Sequence, residues 1–241
     1  MSSTYIQSEL LLHAGAINAV SLRVENKPSF FSMRRNGTAG TTEAENRREF
    51  FASLGFDESA TVRGGQVHGD NVCLADGAAT FSNTDSLLTR RKNLLLTVSV
   101  ADCVPVMIFD KERKIAAAVH SGWKGTARNI VGKTLDVLKN ELNSNPKDLV
   151  TFVGPSAGVC CYEVGDDVAR HFHGENLKPS DREGKFMLDL KKAVVSQLTS
   201  AGVPLKNIDV SDRCTICDRN FHSFRRDGES SGRMIAAIAI K

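Results

Sequence analysis

Short apolar runs separated by polar turns dominate the hydrophobic pattern of this chain. The runs at residues 94–100 and 234–240 are almost continuously apolar, which predicts strands buried on both faces. Three further strands are predicted at residues 17–23, 29–33 and 149–153. Strands of this length and spacing, alternating with helices, predict a globular α/β protein.

Three helices are predicted between these strands. Thr42-Glu43-Ala44-Glu45 has the form of a capping box and opens a helix that ends at Gly55, after a loop predicted at residues 36–42. Apolar residues recur at helical spacing over residues 126–142 and again over residues 189–201, where Asp189 is the predicted N-cap. Because no repeat or long linker interrupts the pattern, we predict one α/β domain over residues 1–241.

Composition narrows the class of protein. The formal net charge of +3 gives little reason to expect a nucleic-acid partner, and no apolar run reaches the roughly 18 residues that a membrane span needs. The N-terminus lacks the basic and apolar regions of a signal peptide. The six cysteines show no disulfide-scaffold spacing, which predicts reduced thiols and a cytoplasmic location.

Residues 101–125 form a predicted hairpin that carries the first candidate chemistry. A turn at residues 110–113 places Phe109 opposite Lys114, and in that register Cys103 falls opposite His120. Directly opposed Cβ atoms on an antiparallel pair lie about 4.5–5.5 Å apart on one face. Pro105 is compatible with the first strand if its pair is not hydrogen bonded, and the Cys103 pair is then of the same, closer kind.

His68, in the glycine-rich stretch GGQVHG at residues 64–69, is a third candidate ligand beside Cys103 and His120. Two histidines and a cysteine suit a catalytic zinc ion, which keeps a fourth position open. The metal would ionise Cys103 and lower the pKa of a bound water to about 7. Asp102 could orient a histidine ligand and is a candidate proton carrier. The alternative is a buried cysteine beside a histidine with no metal.

Other side chains are candidates for anion or metal binding. Lys124 stands at the start of a predicted helix, where backbone N–H groups can hold phosphate. Arg225, Arg226 and Arg233 surround a predicted turn and could clamp an anion, although Arg226 could instead pair with Asp227 within its own loop. A second thiol group could form a four-cysteine zinc site, but vicinal cysteines are awkward partners for one tetrahedral ion, which favours structural thiols: Cys160, Cys161, Cys214 and Cys217.

Several motifs occur together and in order along the chain. Taken as a set, they closely resemble the YfiH-like laccase-domain family, whose members are described as polyphenol oxidases and as purine nucleoside phosphorylases. The resemblance runs from about residue 17 to the C-terminus and rests on GGQVHG at 64–69, ADCVPV at 101–106, VHSGWKG at 119–125, GPSAGVCCYEVG at 154–165, Cys214-Thr215 and SFRRDGESSGR at 223–233.

The resemblance implies one α/β domain of layered mixed β-sheets flanked by helices, with zinc held by the residues matching His68, Cys103 and His120. It implies phosphorolysis of adenosine, inosine, guanosine and methylthioadenosine, with adenosine deamination as a further activity. The pair Asn46-Arg47 matches a family element and Arg23 falls near another, so all three are candidates for contact with purine nucleoside or phosphate. The stretch VENKPSFFSMRRNG after Arg23 departs from the family pattern, which puts the substrate preference in doubt but not the metal trio.

Three other functions remain open on the sequence. A set of two histidines and one cysteine can bind copper for phenol oxidation, although six scattered histidines are few for several copper centres. Cys103 and His120 could act without metal as the nucleophile and base of a cysteine hydrolase. A non-catalytic binding protein, in which a closed metal site only stabilises the fold, is the third. The sequence predicts neither the oligomeric state nor the preferred nucleoside.

Overall fold

The computed structural model describes residues 3–34 and 41–241. Positions 36–40 of the loop predicted at residues 36–42 therefore lie outside the described residues. Of the helices within those ranges, none combines the length and the apolar character needed to cross a membrane.

Fifteen strands and seven α-helices make up the described part of the chain. The strands are β1 Tyr5–Ile6, β2 Ala16–Ser21, β3 Thr61–Gly64, β4 Val72–Ala75, β5 Thr80–Phe81, β6 Ser86–Thr89, β7 Leu95–Val100, β8 Val104–Asp110, β9 Ile115–Ser121, β10 Leu149–Val153, β11 Glu163–Gly165, β12 Leu177–Pro179, β13 Lys185–Leu188, β14 Ile208–Val210 and β15 Met234–Ile240. The helices are α1 Glu9–Ala14, α2 Thr42–Ser53, α3 Trp123–Ala127, α4 Ile130–Asn140, α5 Asp166–Ala169, α6 Leu190–Ser200 and α7 Phe224–Asp227.

Two six-stranded mixed sheets and one three-stranded sheet organise these elements. The first sheet has the order β1-β2-β15-β7-β3-β5, the second β14-β10-β8-β9-β6-β4, and the third β11-β13-β12. Strands β15 and β8 lie inside their sheets, and every residue of both is buried. Their near-continuous apolar sequences therefore follow from having both faces covered.

The buried side chains define the layers. Met107 and Phe109 of β8 pack with Ala236 and Ile238 of β15 in a cluster between the two large sheets. The opposite face of β15 packs against α2, and the opposite face of β8 packs against α4 and α6. The fold is thus a mixed α/β structure of two stacked sheets flanked by helices, as the sequence predicts.

Most predicted elements are confirmed, with differences that have local causes. The predicted strand at residues 29–33 is wrong, because Pro28–Phe31 forms a 3₁₀ turn. The helix predicted at residues 126–142 is divided into α3 and α4 by Asn129, which adopts a left-handed φ of 60°. The N-cap of α2 is Thr41 rather than Thr42, since the Thr41 side chain accepts the Ala44 N–H.

The register predicted for the hairpin is wrong by two residues. Asp110 pairs with Ile115, so Pro105 lies opposite His120 and Val104 opposite Ser121. Asp110 belongs to the strand because its carboxylate accepts the backbone N–H groups of the turn, at 2.9 Å from Glu112 and 2.8 Å from Arg113.

Pro105 lies inside the second sheet, between two hydrogen-bonded neighbours, and not at an edge. The N–H of its partner His120 donates to Asp85 O at 2.8 Å, away from β8, so the proline removes no bond between β8 and β9. The carbonyl of Pro105 accepts the Gly154 N–H at 2.9 Å on its other side. The non-hydrogen-bonded pair is therefore Pro105–His120, and not Cys103–His120 as predicted.

His222 provides a test of pH-dependent stability. Burial, reinforced by the positive charge of Arg23, lowers the pKa of His222 to about 4 from 6.5. Below pH 6.5 His222 is protonated in the unfolded chain but stays neutral in the folded chain. The free energy of unfolding therefore falls as the pH drops from 6.5 towards 4. Between pH 7 and pH 4.5, metal-free native protein should lose about 3 kcal/mol more unfolding free energy than His222→Gln.

Urea denaturation at the two pH values measures this difference. The matched control is His173→Gln, because His173 is an exposed histidine and its variant should follow the native protein. Equal losses in native protein and His222→Gln would contradict the assignment of a neutral, buried His222.

Candidate metal centre

His68 lies in the loop between β3 and β4, and one carboxylate shapes that loop. Asp85 accepts the backbone N–H groups of Val67 at 3.2 Å, His68 at 3.1 Å and Gly69 at 2.9 Å. His68 itself has a left-handed φ of 58°. A non-glycine residue held in this region costs free energy, and such residues concentrate at functional sites.

Cys103 and His120 come from neighbouring strand ends of the second sheet. Cys103 directly precedes β8, and His120 is the second-last residue of β9. Continuing the observed register places Gly122 opposite Cys103, so Cys103 and His120 are diagonal neighbours on one face. The two residues still meet because a slip of two residues preserves the face to which each side chain points.

The trio of His68, Cys103 and His120 converges on one point. Their ligating atoms all lie within 4.8 Å of one another. The two imidazole rings meet edge to face, with centroids 4.8 Å apart and an interplanar angle of 75°. Two imidazoles and one thiolate at this spacing could hold a metal ion with one further position open.

Asp85, and not Asp102, orients the histidine. Asp85 is fully buried, and its Oδ1 accepts from His120 Nδ1 at 2.7 Å, which leaves Nε2 as the ring nitrogen available to a ligand. A carboxylate behind a metal-binding histidine fixes the tautomer and raises its basicity. Asp102 instead accepts from the Thr215 hydroxyl at 2.6 Å and the Arg225 N–H at 2.6 Å. The predicted orienting role therefore belongs to Asp85.

The electrostatics of the trio favour an ionised thiol. Burial alone would raise the pKa of Cys103, but the charge on His120 and hydrogen bonds from His120 and His68 outweigh it and lower the pKa to about 6. Burial alone would lower the pKa of His120, but the Cys103 thiolate and the hydrogen bond to Asp85 raise it to about 9. Near neutral pH, metal-free Cys103 is thus a thiolate beside an imidazolium.

A cavity of about 510 Å³ opens directly onto the trio. That size is typical of pockets that enclose a small organic ligand. Its walls combine apolar, aromatic and cationic side chains from several elements: Gly64, Gly65, Gln66, Ser99, Ala101, Asp102, Tyr162, Phe224, Arg225 and Arg233. A metal at the trio would therefore face a ligand-sized space bordered by two arginines.

Residues 40–241 match the family model described as multi-copper polyphenol oxidoreductase laccase. The chain belongs to this laccase family. The fold agrees, because the crystal structure of YlmD from Geobacillus stearothermophilus superposes with a TM-score of 0.90 at 30% identity, covering 100% of this chain and 97% of that one. The YfiH-like family indicated by the sequence motifs is thereby confirmed.

Relatives in this family carry an enzyme name. The purine nucleoside phosphorylase of Clostridium acetobutylicum is 39% identical over 181 residues, which is 73% of this chain and 75% of that protein. The purine nucleoside phosphorylase of Deinococcus radiodurans is 39% identical over 201 residues, covering 82% of this chain and 77% of that protein. These relatives support an enzyme of the nucleoside phosphorylase kind.

The structure separates the remaining candidate residues of this laccase-family chain. Arg225 lines the cavity beside the trio, with its guanidinium 4.9 Å from the centroid of the Tyr162 ring. Arg226 lies in the same helix, but its guanidinium bonds to the carbonyls of Thr215, Ile216 and Phe221 and to Asp227. Arg226 therefore stabilises its own loop and pairs with Asp227, which is one of the two roles that the sequence left open.

Four other candidates do not line this cavity. Lys124 lies beside the Trp123 ring, and Arg23 lies over Phe30 in a separate cavity that Arg226 also lines. Asn46 and Arg47 are buried and hold the divergent stretch after Arg23 in place. The Asn46 amide donates to the carbonyls of Pro28 and Ser32, and Arg47 donates to that of Arg34.

Sequence reasoning missed the residues that complete the site. Asp85 and Tyr162 are distant from the ligands along the chain, and no spacing rule connects them, while Gln66 lies two residues before His68 but has no metal-ligating side chain. A usable signal does exist for Asp85, because an acidic residue stands directly before the short stretch Ser86–Thr89 that forms β6 and contains the apolar pair Leu87-Leu88. Gln66 is fixed by two bonds to Ser99, with its Nε2 donating to Ser99 O at 2.8 Å and its Oε1 accepting the Ser99 N–H at 2.7 Å.

Gly122 is the position at which an added methyl group should disturb the trio most directly. A Cβ atom there would lie 2.9 Å from His68 Cδ2 and 3.0 Å from Cys103 Sγ. Its φ of −73° suits any residue, so the expected effect of Gly122→Ala is steric alone. We expect zinc affinity to fall roughly 10- to 100-fold with the fold retained.

Competition with a chelating dye measures this loss. Gly77→Ala is the matched control, since a Cβ atom at Gly77 meets nothing within 4 Å. If Gly122→Ala binds zinc with native affinity, then zinc binding does not depend on the observed positions of His68 and Cys103.

Proposed function

We propose that this chain is a zinc-dependent purine nucleoside phosphorylase that accepts adenosine, inosine, guanosine and methylthioadenosine. The observation that carries the proposal is the meeting of a three-ligand His/Cys trio and two arginines in one ligand-sized cavity. The two named relatives, each matched over more than two thirds of its length, support the same reaction. The proposed unit extends over residues 1–241.

The donor set fits zinc. Borderline-soft zinc takes imidazole nitrogen and thiolate sulfur, and Asp85 prepares His120 for that role. Copper is the alternative ion for two histidines and one cysteine. Several copper centres would need further histidines, and within residues 3–34 and 41–241 the groups placed to hold a metal are this trio and a set of four cysteines.

The residues around the trio would have separate roles in phosphorolysis. In the proposed reaction a phosphate oxygen bonds to C1′ of the ribose, the bond from C1′ to the base breaks, and the base leaves with the electron pair and takes up a proton. Zinc, when bound, would supply a Lewis-acid charge and lower the pKa of a bound water. Arg225 and Arg233 would hold the phosphate by charge-assisted hydrogen bonds.

The aromatic walls suit a purine base. Tyr162 and Phe224 both line the cavity, and each already lies under a guanidinium, from Arg225 at 4.9 Å and from Arg233 at 5.5 Å. Flat apolar faces of this kind bind aromatic ligands by stacking. Asp102 holds the Arg225 backbone and stays a predicted proton carrier. Adenosine deamination at the same site is part of the proposal, as is a cytoplasmic location, because all six cysteines are free.

Arg233→Lys tests the assignment of the phosphate subsite. Lysine keeps the charge but loses the planar, two-pronged donor that matches a phosphate. We expect the KM for phosphate to rise roughly 10- to 100-fold, with a smaller change in the KM for nucleoside. Steady-state kinetics with varied phosphate measures it, with Arg90→Lys on the surface as control. An unchanged KM for phosphate would remove Arg233 from the site.

A substrate panel tests the proposal as a whole. Zinc-loaded protein is incubated with each of the four nucleosides, with and without phosphate, and the products are separated by chromatography. Release of free base that requires phosphate supports phosphorolysis, and conversion of adenosine to inosine supports deamination. Intact nucleosides in every reaction, with zinc shown to be bound, would defeat the proposal.

A metal-free cysteine hydrolase is the second candidate, and the lowered pKa of Cys103 favours it. A thiolate beside a protonated imidazole is the arrangement that activates cysteine nucleophiles. Elemental analysis of protein purified without added metal separates the two candidates. A loss of about one equivalent of zinc in Cys103→Ala, relative to native protein, supports the phosphorylase, whereas an equal zinc content in both proteins supports the hydrolase.

A further inference from the structure

Four cysteines outside the candidate active site form a second cluster. Cys160 and Cys161 lie just before β11, while Cys214 and Cys217 lie between β14 and α7. The four sulfur atoms all lie within 4.8 Å of one another, and the Sγ atoms of Cys160 and Cys217 are 3.9 Å apart. All four cysteines are free, so the cluster holds four thiols without a disulfide.

The backbone explains how two vicinal cysteines reach one point. In an extended strand neighbouring side chains point to opposite faces, which would separate Cys160 from Cys161. Here the chain turns, and the N–H groups of Cys161 and Tyr162 both donate to Gly158 O at 2.9 Å. This turn therefore brings the Cys160 and Cys161 side chains to the same side, which removes the objection that vicinal cysteines cannot easily bind one ion.

The second pair has the form of a metal-binding turn. Cys214 and Cys217 are spaced as C-x-x-C, the spacing of many thiolate metal sites. The Cys214 Sγ accepts the Gly158 N–H at 3.2 Å. A backbone donor to a sulfur offsets part of the negative charge that a bound thiolate carries.

The two segments are joined before any metal binds. Ser156 and Cys214 form a parallel bridge, and the Thr215 N–H donates to Ser156 O at 2.9 Å. Lys191 lies beside the cluster, with its Nζ donating to Ser211 O at 2.6 Å and Arg213 O at 3.0 Å. The positive charge of Lys191 acts on the sulfurs of Cys214 and Cys160. A positive charge at this place would stabilise the negative charge of four thiolates.

We propose that Cys160, Cys161, Cys214 and Cys217 bind one structural zinc ion in a closed tetrahedral site. Zinc–sulfur bonds of about 2.3 Å place tetrahedral sulfurs about 3.8 Å apart. The Cys160–Cys217 separation of 3.9 Å already matches this edge. The remaining sulfurs need to close by about 1 Å at most, from separations within 4.8 Å.

This zinc would brace one wall of the cavity that faces the trio. Tyr162, which lines the cavity, directly follows Cys161. Thr215 directly follows Cys214, and its hydroxyl bonds to Asp102 at 2.6 Å. Four protein ligands leave no open position, so the ion takes no part in the reaction and acts on folding and positioning.

Zinc counting in native protein and in variants tests the proposal. Cys217→Ser and Cys160→Ser alter exposed ligands and avoid the buried Cys214, so that the fold is kept. Each should contain about one zinc ion per chain less than native protein purified in parallel, whatever the His/Cys trio holds. Cys73→Ser is the matched control, because Cys73 belongs to neither group, and it should keep the native zinc content.

Alkylation followed by mass spectrometry gives a second, independent reading. Exposed Cys160 and Cys217 should resist iodoacetamide in native protein and react after treatment with a chelator. Protection released by a reductant alone would show a disulfide and overturn the proposal. Immediate alkylation of both cysteines in native protein, or a native zinc content in Cys217→Ser, would overturn it as well.

Discussion

Cys103→Ala is expected to lose the zinc of the trio and at least about 1,000-fold in kcat/KM for adenosine. The thiolate is the one anionic donor of the trio, so its removal leaves two neutral imidazoles to hold a dication. Losing the Lewis acid removes several kcal/mol of transition-state stabilisation, and about 4 kcal/mol corresponds to 1,000-fold. Metal analysis and steady-state kinetics on the same preparation measure both effects. Cys73→Ala, which changes a half-buried cysteine outside the site, should leave both unchanged.

His68→Ala separates the metal enzyme from the cysteine hydrolase, because Cys103→Ala abolishes both. His68 is a ligand in the zinc account, but Cys103 and His120 alone would form the nucleophile and base of a hydrolase. We expect His68→Ala to lose zinc and activity almost as completely as Cys103→Ala. Since His68 is exposed, its replacement should cost little stability. A variant that loses zinc but keeps native activity would favour the hydrolase.

Asp85→Asn is expected to have the second-largest effect, because one carboxylate serves both histidines. It accepts three N–H groups of the His68 loop and fixes the ring of His120. An amide in its place keeps one acceptor oxygen and turns an NH₂ group towards donors. We expect zinc affinity to fall roughly 10- to 100-fold and unfolding free energy to fall by about 2 kcal/mol.

Zinc competition and urea denaturation measure the two effects of Asp85→Asn. Asp76→Asn is the control, since Asp76 is an exposed aspartate whose nearest ionic partner, Arg91, is 3.7 Å away. Loss of stability without loss of zinc affinity would show that Asp85 shapes the loop but does not prepare the ligand.

The hairpin shows what the sequence can and cannot predict. Its two strands and its four-residue turn follow from the hydrophobic pattern, but the register depends on Asp110, whose side chain closes the turn from inside the strand. Local pattern does not reveal that contact. The meeting of Cys103 and His120 was nevertheless predicted, because an error of two residues leaves both side chains on the same face.

Longer-range relations explain the remaining misses. Asn129 divides the predicted helix through a left-handed φ, which no change in apolar spacing announces. Asp85 reaches His120 through the pairing of β6 with β9, and the hydrophobic pattern predicts no strand at β6. Spacing and glycine context are enough to predict the three candidate ligands. Predicting that Asp85 supports them requires the order of strands in the sheet.

The most direct test of the central claim is to incubate zinc-loaded protein with adenosine and phosphate, following ribose 1-phosphate by phosphorus NMR and adenosine, adenine and ribose by chromatography. We expect ribose 1-phosphate to appear in step with free adenine, and we expect neither product without phosphate or with His68→Ala. Adenosine left intact by a folded, zinc-loaded chain, or adenine released with free ribose in the absence of phosphate, would contradict it.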